Sequence, residues 1–184
     1  MKPLDCWVVA GFLGGQREPL LDFVINKELN FHPATVSLGA TRSVIEGVRR
    51  AKILDSLCDW EGLFLGRLRQ LLHPAIDRLG YKRFTPGRIE LQATASNDGD
   101  YFRLHQDGGP DDTREITFVY FLHGEPRPFS GGELRIRSST VEPHGDTIVL
   151  FPSSYVHEVM PVRVPSGAFV DSRFTVNGWI HGIR

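Results

Sequence analysis

The stretch that decides the fold is Glu115–Leu122, which reads EITFVYFL. β-Branched and aromatic residues fill it, as is typical of a strand. Both of its alternating faces are mostly apolar, and a strand is covered on both faces when it lies in the middle of a sheet. The sequence therefore predicts a central strand here, with further strands on either side.

Shorter runs of similar composition occur from Arg88 onward, and each is bounded by glycine, proline, asparagine or aspartate turn signals. These runs are Glu90–Ala95, Gly132–Ile136, Asp146–Phe151 and Phe174–Ile180. A further strand is predicted near the start of the chain, at Cys6–Phe12. Many short strands at this spacing indicate a sandwich or barrel, here a double-sheet jelly roll.

The first half of the chain differs, because its apolar residues recur at helical spacing. Three groups show this spacing: Leu20, Leu21 and Val24; Val44, Ile45, Val48, Ile53 and Leu54; and Leu63, Phe64, Leu68, Leu71 and Leu72, ended by Pro74. The predicted fold is mainly β with helical support (α+β). One domain spans residues 1–184, with a strand and helices in 1–87 and the jelly-roll core in 88–184.

Composition points to an ordinary globular protein. The chain has 184 residues, 41% hydrophobic and 23% charged, with a formal net charge of −1. This balance predicts no nucleic-acid or anionic-membrane partner. No run approaches the roughly 20 apolar residues of a membrane span, and Pro3 and Asp5 interrupt the place of a signal peptide. Cys6 and Cys58 lack a C-x-x-C pattern and are expected to be reduced, so a cytoplasmic protein is predicted.

A metal site is predicted where Tyr101–Asp107, YFRLHQD, runs into a glycine-rich turn. In an extended segment residues i and i+2 share a face, so His105 and Asp107 can converge on one ion. His157 lies 52 residues further along, far enough for several strands to bring it back. Two imidazoles and one carboxylate form the facial triad that suits Fe(II) and leaves coordination positions open.

The last predicted strand carries a candidate site for an anion. Strand alternation places Arg173, Thr175, Asn177 and Trp179 on one face. The Arg173 guanidinium can bind a carboxylate through two parallel N–H bonds, and the Thr175 hydroxyl can add a third donor.

The remaining histidines lack a comparable context. Surface or capping positions are expected for His32, His73, His123, His144 and His181.

Together these motifs resemble the prolyl 4-hydroxylase-like branch of the Fe(II)/2-oxoglutarate oxygenases. The matching pieces are His105-x-Asp107, Arg114-x-x-Thr117-x-x-Tyr120-Phe121-Leu122, Ser130-Gly131-Gly132-Glu133-Leu134, Pro143-x-x-Gly145, Phe151-x-x-Ser154-x-x-His157-Glu158-Val159-x-Pro161-Val162, and Arg173 with Trp179. They cover roughly residues 90–181, and their order and spacing make the match far more specific than any single motif.

The resemblance implies a double-stranded β-helix in which His105, Asp107 and His157 bind Fe(II). It implies that 2-oxoglutarate chelates the iron while Arg173 holds its far carboxylate, and that Asn177 lies near the iron. Dioxygen, decarboxylation to succinate and CO2, and a ferryl species would then hydroxylate a prolyl or other amino-acid, peptide or small-molecule substrate. The resemblance also suggests ascorbate as a reductant.

Two positions depart from the family pattern. His157 and Arg173 are 16 residues apart, a longer gap than usual, which an extra turn at Val164–Ala168 would explain. Arg163 is the other candidate for the anion-binding arginine. Where many prolyl hydroxylases have a cosubstrate-binding tyrosine, this chain has Phe121, and Thr175, Gln92 or Tyr101 is expected to compensate.

Two other interpretations stay open at this point. One is a cupin-like metal-binding or oxygen/2-oxoglutarate-sensing module without an external substrate. The other is a non-redox metalloenzyme on the same fold, active with Zn(II) or Mn(II) and without dioxygen. The short loops favour a small-molecule or flexible-peptide substrate over a folded protein. The substrate and the oligomeric state are not encoded in any of these motifs.

Overall fold

The computed structural model of the protein describes residues 4–38, 41–43 and 47–183. Its helices are α1 (Arg17–Ile25) and α2 (Trp60–Leu79), with short 3-10 helices at Gly14–Gln16, Glu28–Asn30 and Phe169–Asp171. The strands are β1 (Trp7–Ala10), β2 (His32–Pro33), β3 (Val36–Leu38), β4 (Thr41–Ser43), β5 (Arg49–Arg50), β6 (Lys52–Leu54), β7 (Pro86–Ser96), β8 (Tyr101–His105), β9 (Arg114–Leu122), β10 (Ser130–Gly131), β11 (Leu134–Ile136), β12 (Ser139–Val141), β13 (Thr147–Pro152), β14 (His157–Val159), β15 (Val162–Arg163) and β16 (Arg173–Gly182).

Two antiparallel sheets form the body of the protein. The major sheet has the order β1-β13-β9-β16-β7-β6-β2, and the minor sheet has the order β12-β11-β14-β8-β5. β3-β4 and β10-β15 are two-stranded ribbons. β9 lies between β13 and β16, which confirms the predicted central strand. The predicted strand near the start is also confirmed, since β1 pairs with β13. The architecture is the predicted jelly roll, a double-stranded β-helix.

The two faces of β9 separate two layers of core. Ile116, Phe118, Tyr120 and Leu122 belong to a large apolar cluster that includes residues of both helices. Phe121 belongs to a smaller cluster with residues of β11 and β13. The major sheet is therefore packed on one face by helices and on the other by the minor sheet, and the functional site lies on that second face.

The first and third helical groups of the sequence correspond to α1 and α2. α1 buries Leu20, Leu21 and Val24, as predicted. α2 does not end at Pro74 as expected but continues to Leu79, before Gly80 in the left-handed region. An internal proline costs about 3 kcal/mol. Burial of an isoleucine or leucine side chain contributes about 1.5–3 kcal/mol. The burial of Ile76 and Leu79 therefore offsets the break.

The second predicted helix is wrong wherever its residues are described. Val44 and Ile45 lie outside the described residues, Val48 lies in a turn, and Ile53 and Leu54 lie in β6. β6 is held at the edge of β7, where Ile53 pairs with Thr94 and Leu54 with Ala93. Long-range pairing with a neighbouring strand outweighs the weak helical spacing of these few residues.

None of the helices in the described residues combines the length and hydropathy that a membrane span requires. Cys6 is half-buried and Cys58 is exposed, and both are free thiols.

Candidate metal centre and active site

β8 and β14 lie side by side in the minor sheet and bring together the three predicted metal ligands. His105 pairs in register with His157, and Asp107 follows just after β8. His105 Nε2 lies 3.5 Å from Asp107 Oδ1, and His157 Nε2 lies 3.3 Å from Asp107 Oδ2. One ligand atom of each residue lies within 4.8 Å of the others. Two strands thus place three donor atoms around one point.

Both imidazoles are oriented by backbone carbonyls. His105 Nδ1 lies 2.7 Å from the Arg103 carbonyl oxygen, and His157 Nδ1 lies 2.9 Å from that of Tyr155. A carbonyl oxygen can only accept, so each Nδ1 carries the proton and each Nε2 keeps a free lone pair. Phe102 also stacks on the His105 ring, with ring centroids 3.5 Å apart. The two rings are therefore held in the tautomer and orientation that a metal requires.

Asp107 is fixed through both its side chain and its backbone. The Thr117 hydroxyl donates to Asp107 Oδ2 at 2.9 Å, and Arg114 Nη1 donates to the Asp107 carbonyl oxygen at 3.2 Å. The backbone N–H groups of Asp107 and Gly108 both donate to the carbonyl oxygen of Ser153. The sequence motif contained Arg114 and Thr117 but gave no role to either. Their contacts make them positioning residues for the carboxylate.

The ionisation states of this cluster suit a divalent metal. Burial lowers the pKa of His105, so its imidazole is neutral at pH 7. The pKa of Asp107 lies well below its usual range in spite of the burial that would raise it, so this side chain is a carboxylate at pH 7. Neutral imidazoles and a carboxylate that leave coordination positions open form the donor set of non-haem Fe(II) sites, so the residues present fit that metal.

A cavity opens directly over the three donors, between the two sheets. The space and its open mouth enclose about 600 Å³, a volume that includes open solvent, and all three donors line it. One wall is formed by β16 through Arg173, Thr175, Asn177 and Trp179, which confirms that these residues share a face. Residues of β5, β8, β11 and β14 form the opposite wall.

Arg173 is buried in this wall and is not fully partnered. Its Nε donates to the Gly132 carbonyl oxygen at 2.8 Å, while its Nη2 has no hydrogen-bond partner among the described residues. Its guanidinium carbon lies 5.1 Å from the Phe121 ring centroid. Burial lowers the pKa of Arg173 to about 10, so the side chain remains a cation at pH 7. A buried cation with a free donor fits the carboxylate of a ligand.

The alternative arginine does not reach this cavity. Arg163 is exposed on β15, which pairs with β10. The 15 residues between His157 and Arg173 include a turn at residues 165–166 and the 3-10 helix Phe169–Asp171 before β16 begins. The longer gap is therefore absorbed outside the strands, and Arg173 keeps its position on the cavity wall.

The other predicted site residues divide into two groups. Thr175, Asn177 and Tyr101 line the cavity, whereas Gln92 does not. Asn177 Oδ1 accepts hydrogen bonds from Thr94 at 2.7 Å and from Thr175 at 3.3 Å. Gln92 pairs with Asn177 across the β7–β16 ladder, and its buried Nε2 has no partner among the described residues. The expectation that Gln92 contacts the cosubstrate is therefore not supported by its position.

The expected surface positions are wrong for two of the other histidines. His123 is only 3% exposed and His181 only 4%. His123 Nε2 lies 3.0 Å from the Pro143 carbonyl oxygen, and His181 Nδ1 lies 2.7 Å from the Thr113 hydroxyl. Both rings therefore tie strand ends to loops inside the protein, a role that their sequence contexts do not reveal.

Arg49 is a cavity residue that the sequence interpretation missed. It lies in β5, in the part of the chain that had been predicted as helical. Neither its neighbours nor its spacing from the metal ligands marks it as part of a site.

The family model for the 2OG-Fe(II) oxygenase superfamily matches residues 91–181, a segment that contains the three metal donors and Arg173. The chain belongs to the 2OG-Fe(II) oxygenase superfamily. The motifs that resemble the prolyl 4-hydroxylase-like branch, from His105 to Trp179, lie within the matched segment.

Known relatives agree with this assignment. The chain is 43% identical over 130 residues to an uncharacterized PKHD-type hydroxylase of Synechocystis, an alignment covering 62% of this chain and 43% of the relative. The chain spans less than half the length of the curated relatives that it matches.

Two solved structures share the fold. A Pseudomonas putida prolyl-4-hydroxylase has a TM-score of 0.73 at 22% identity, with 97% of this chain and 92% of that chain covered. A Trichoplax adhaerens prolyl hydroxylase, solved with a peptide fragment of hypoxia inducible factor, has a TM-score of 0.76 at 19% identity, with 97% and 84% covered.

Proposed function

We propose that this chain is a 2-oxoglutarate-dependent dioxygenase that hydroxylates a prolyl or other amino-acid group, free or within a peptide. The observation that carries the proposal is one cavity that combines the His105, Asp107 and His157 donors with buried, incompletely partnered Arg173. A module that only binds metal needs the donors but not the arginine. We further propose that residues 1–184 act as one domain, with the helical layer supporting the sheet that carries Arg173.

His105, Asp107 and His157 would hold the Fe(II) ion. When bound, iron and 2-oxoglutarate supply the oxidising power that inserts one atom of dioxygen into a substrate C–H bond, releasing succinate and CO2. Ascorbate is expected to sustain turnover by keeping the iron reduced. The remaining steps that the chain performs are binding, orientation and exclusion of water, and they fall to the other residues of the cavity.

Arg173 binds the carboxylate of 2-oxoglutarate that lies away from the metal. Its Nε is occupied by the Gly132 carbonyl oxygen, so the free Nη2 is directed at the ligand. The Phe121 ring beneath the guanidinium donates no hydrogen bond, unlike the tyrosine found there in many prolyl hydroxylases. Thr175 and Tyr101 both line the cavity, and we assign the missing hydrogen bond to one of them; Thr175 can supply it only if its hydroxyl turns away from Asn177 Oδ1, 3.3 Å away.

Asn177 is proposed to orient groups near the metal. The hydroxyls of Thr94 and Thr175 both donate to its Oδ1, which fixes the amide and leaves its nitrogen to donate into the cavity. The proposed amino-acid or peptide substrate is supported by the Trichoplax adhaerens enzyme, which was solved with a peptide bound.

The proposal is tested by adding Fe(II) and 2-oxoglutarate to the metal-free protein under argon and recording the visible metal-to-ligand charge-transfer band. We expect the band in the wild type and none in His105→Ala. Arg173→Met should need roughly 10- to 100-fold more 2-oxoglutarate, because a charge-assisted bidentate contact is lost. Arg163→Met, which removes an exposed arginine of the same region, should titrate like the wild type.

Absence of the band from folded, iron-loaded wild type would mean that 2-oxoglutarate does not chelate the metal. A cupin-like metal-binding module would then be the better interpretation. A band with slow conversion of 2-oxoglutarate to succinate, and no acceleration by any amino acid or peptide, would favour a sensor without an external substrate.

A further inference from the structure

Arg49 contributes a second arginine to the cavity, from the wall opposite Arg173. It pairs in register with Phe102, and its guanidinium carbon lies 4.8 Å from the centroid of the Phe102 ring. The other contacts of Phe102 include the stacked ring of His105, 3.5 Å away. A planar guanidinium over an aromatic ring is held in a fixed orientation. Arg49 is therefore a preorganised cation separated from a metal ligand by a single ring.

Among the described residues no carboxylate is in direct contact with Arg49, although the charge of Asp107 acts on it at longer range. Its Nη2 lies 3.5 Å from the Thr94 hydroxyl, the outer limit of a hydrogen bond. Within the described residues no acidic group lies within 4.0 Å of its guanidinium. The adjacent Arg50 differs, since it is half exposed and lies 3.6 Å from Asp100. Of these two adjacent residues on β5, Arg49 is therefore a cation that lines the cavity, whereas Arg50 is part of a surface ion pair.

Arg49 stays charged under physiological conditions. Burial lowers its pKa to about 10, and the negative charge of Asp107 partly opposes this effect. A cation in a sheltered site is unfavourable unless an anion or several acceptors accompany it. The cavity wall supplies only the Thr94 hydroxyl, so the missing partner is expected to enter with a ligand.

The cosubstrate does not supply that partner. Apart from the two histidines, the charged residues that line the cavity are Arg49, Asp107 and Arg173. A divalent metal, Asp107, Arg173 and the two carboxylates of 2-oxoglutarate together have no net charge. One carboxylate is assigned to Arg173 and the other to the metal. Arg49 therefore remains as an unmatched positive charge beside the space left for the substrate.

We propose that Arg49 binds a carboxylate of the primary substrate and so selects a carboxylate-bearing amino-acid or peptide substrate. This inference rests on the proposed dioxygenase function. The shared chemistry is a carboxylate held by the guanidinium fork over Phe102. Its source is either the α-carboxylate of a free amino acid or an acidic side chain within a peptide, and the test separates the two.

The test measures succinate release from 2-oxoglutarate by iron-loaded wild type, Arg49→Met, Arg49→Lys and the control Arg50→Met. Four pools are added in turn: free L-amino acids, the same amino acids as amides, end-capped peptides containing Asp or Glu, and matched peptides containing Asn or Gln. The stimulating compound is then titrated into the iron- and 2-oxoglutarate-loaded proteins by calorimetry under argon, so that binding is measured without turnover.

We expect one carboxylate pool to accelerate succinate release, and which pool does so identifies the source of the carboxylate. Its amide counterpart should be roughly 10- to 100-fold less effective, the usual cost of losing a charge-assisted pair. Arg49→Met should lose the same factor in activity and in calorimetric affinity for the acid but not for the amide. Arg49→Lys should recover part of it, and Arg50→Met should match the wild type.

Several results would overturn the inference. These are equal response to acids and amides, full response in Arg49→Met, no response to either carboxylate pool, or a loss of 2-oxoglutarate affinity in Arg49→Met as large as that in Arg173→Met. The last result would assign Arg49 to the cosubstrate. The proposed function is tested separately, by measuring succinate release without added substrate. His105→Ala should abolish this release. If that release is present, only the substrate inference fails.

Discussion

The two faces of the major sheet differ in the polarity of the side chains that they bury. The face under the helices is apolar, with Phe64 of α2 packed against Phe12, Phe118 and Tyr120. The opposite face carries the cavity. The buried side chains with a nitrogen that has no hydrogen-bond partner in the described part of the chain are Gln92, Arg114, Arg173, Trp179 and His181, although His181 Nε2 lies 3.5 Å from Glu90 Oε1. None of them belongs to the apolar cluster under the helices.

This difference separates stability from function within a single sheet. Each unpartnered buried donor costs about 1–3 kcal/mol, so the cavity face, which has only the smaller apolar cluster around Phe121, is expected to contribute less to stability than the helical face. The helical face has to compensate through close apolar packing. Changes on the helical face are therefore expected to alter the free energy of unfolding and leave ligand binding intact, while changes on the cavity face should weaken ligand binding by more than any loss of stability explains.

The strongest test of this separation is Phe64→Ala in α2. Phe64 is 1% exposed and its ring contacts three aromatic neighbours. Its truncation should lower the free energy of unfolding by about 3–5 kcal/mol, measured by chemical denaturation. The folded fraction should still bind 2-oxoglutarate with the affinity of the wild type.

Leu63→Ala is the matched control, because Leu63 precedes Phe64 in the same helix but is 37% exposed. Its cost should stay below about 1 kcal/mol. If Phe64→Ala weakened 2-oxoglutarate binding as strongly as it lowered stability, the two faces would be coupled and the separation would be wrong.

Gly132→Ala is the corresponding change on the cavity face. Gly132 has a φ of 73°, and an added Cβ would lie 2.5 Å from Arg173 Cδ and 2.9 Å from its Nε. The backbone strain should cost about 1–3 kcal/mol of stability. The displaced guanidinium should raise the dissociation constant of 2-oxoglutarate roughly 10-fold, equivalent to about 1.4 kcal/mol.

Gly167→Ala separates these two effects. Gly167 also has a positive φ, of 64°, but an added Cβ would meet nothing within 4 Å. This control should lose stability through strain and keep the affinity for 2-oxoglutarate. Equal affinities in the two variants would show that the position of Arg173 does not depend on Gly132.

Where the residues lie on a strand, the sequence also predicted the cavity face better than the helical face. Alternation along β16 was enough to place Arg173, Thr175 and Asn177 on one wall, and the two-residue spacing of His105 and Asp107 was enough to bring their side chains together. These predictions succeed because the period of a strand is fixed by its geometry. Gln92 was expected near the cosubstrate only as a substitute for the tyrosine absent at Phe121, and how far the cavity extends along a sheet depends on packing that the strand period does not encode.

The structural features that the sequence did not predict are set by contacts between residues far apart in the chain. Arg49 lies in a two-residue strand whose position is set by β8, about 50 residues away, so its local sequence shows only a weak helical spacing. Pro74 was expected to end α2, but burial of the following turn against the sheet decides the outcome. In both cases tertiary contacts outweigh a correct local preference.

The smallest expected effect concerns a hydroxyl on the helical face and depends on pH. The Tyr120 hydroxyl donates to Asp146 Oδ1 at 3.0 Å. Burial, together with the charge of Asp146, raises the pKa of Tyr120 above its usual value. A group whose pKa is raised by folding contributes stability below its unfolded pKa, near 10 for tyrosine, and loses it as pH rises further. Wild type should therefore lose about 1.4 kcal/mol per pH unit above pH 10 from this residue.

Tyr120→Phe removes both the hydrogen bond and the titration. At pH 7 the variant should be about 1 kcal/mol less stable, since Asp146 keeps its bonds from the backbone N–H groups of Leu13 and Gly14. Between pH 10 and 11 the unfolding free energies of wild type and Tyr120→Phe should converge. Only wild type is destabilised in this range, because its fold keeps the Tyr120 hydroxyl protonated above the pKa of an exposed tyrosine. Tyr81 and the buried arginines titrate in both chains and cancel in the difference. A constant gap from pH 7 to 11, measured by denaturation at each pH, would mean that the Tyr120 hydroxyl ionises as readily inside the protein as in water.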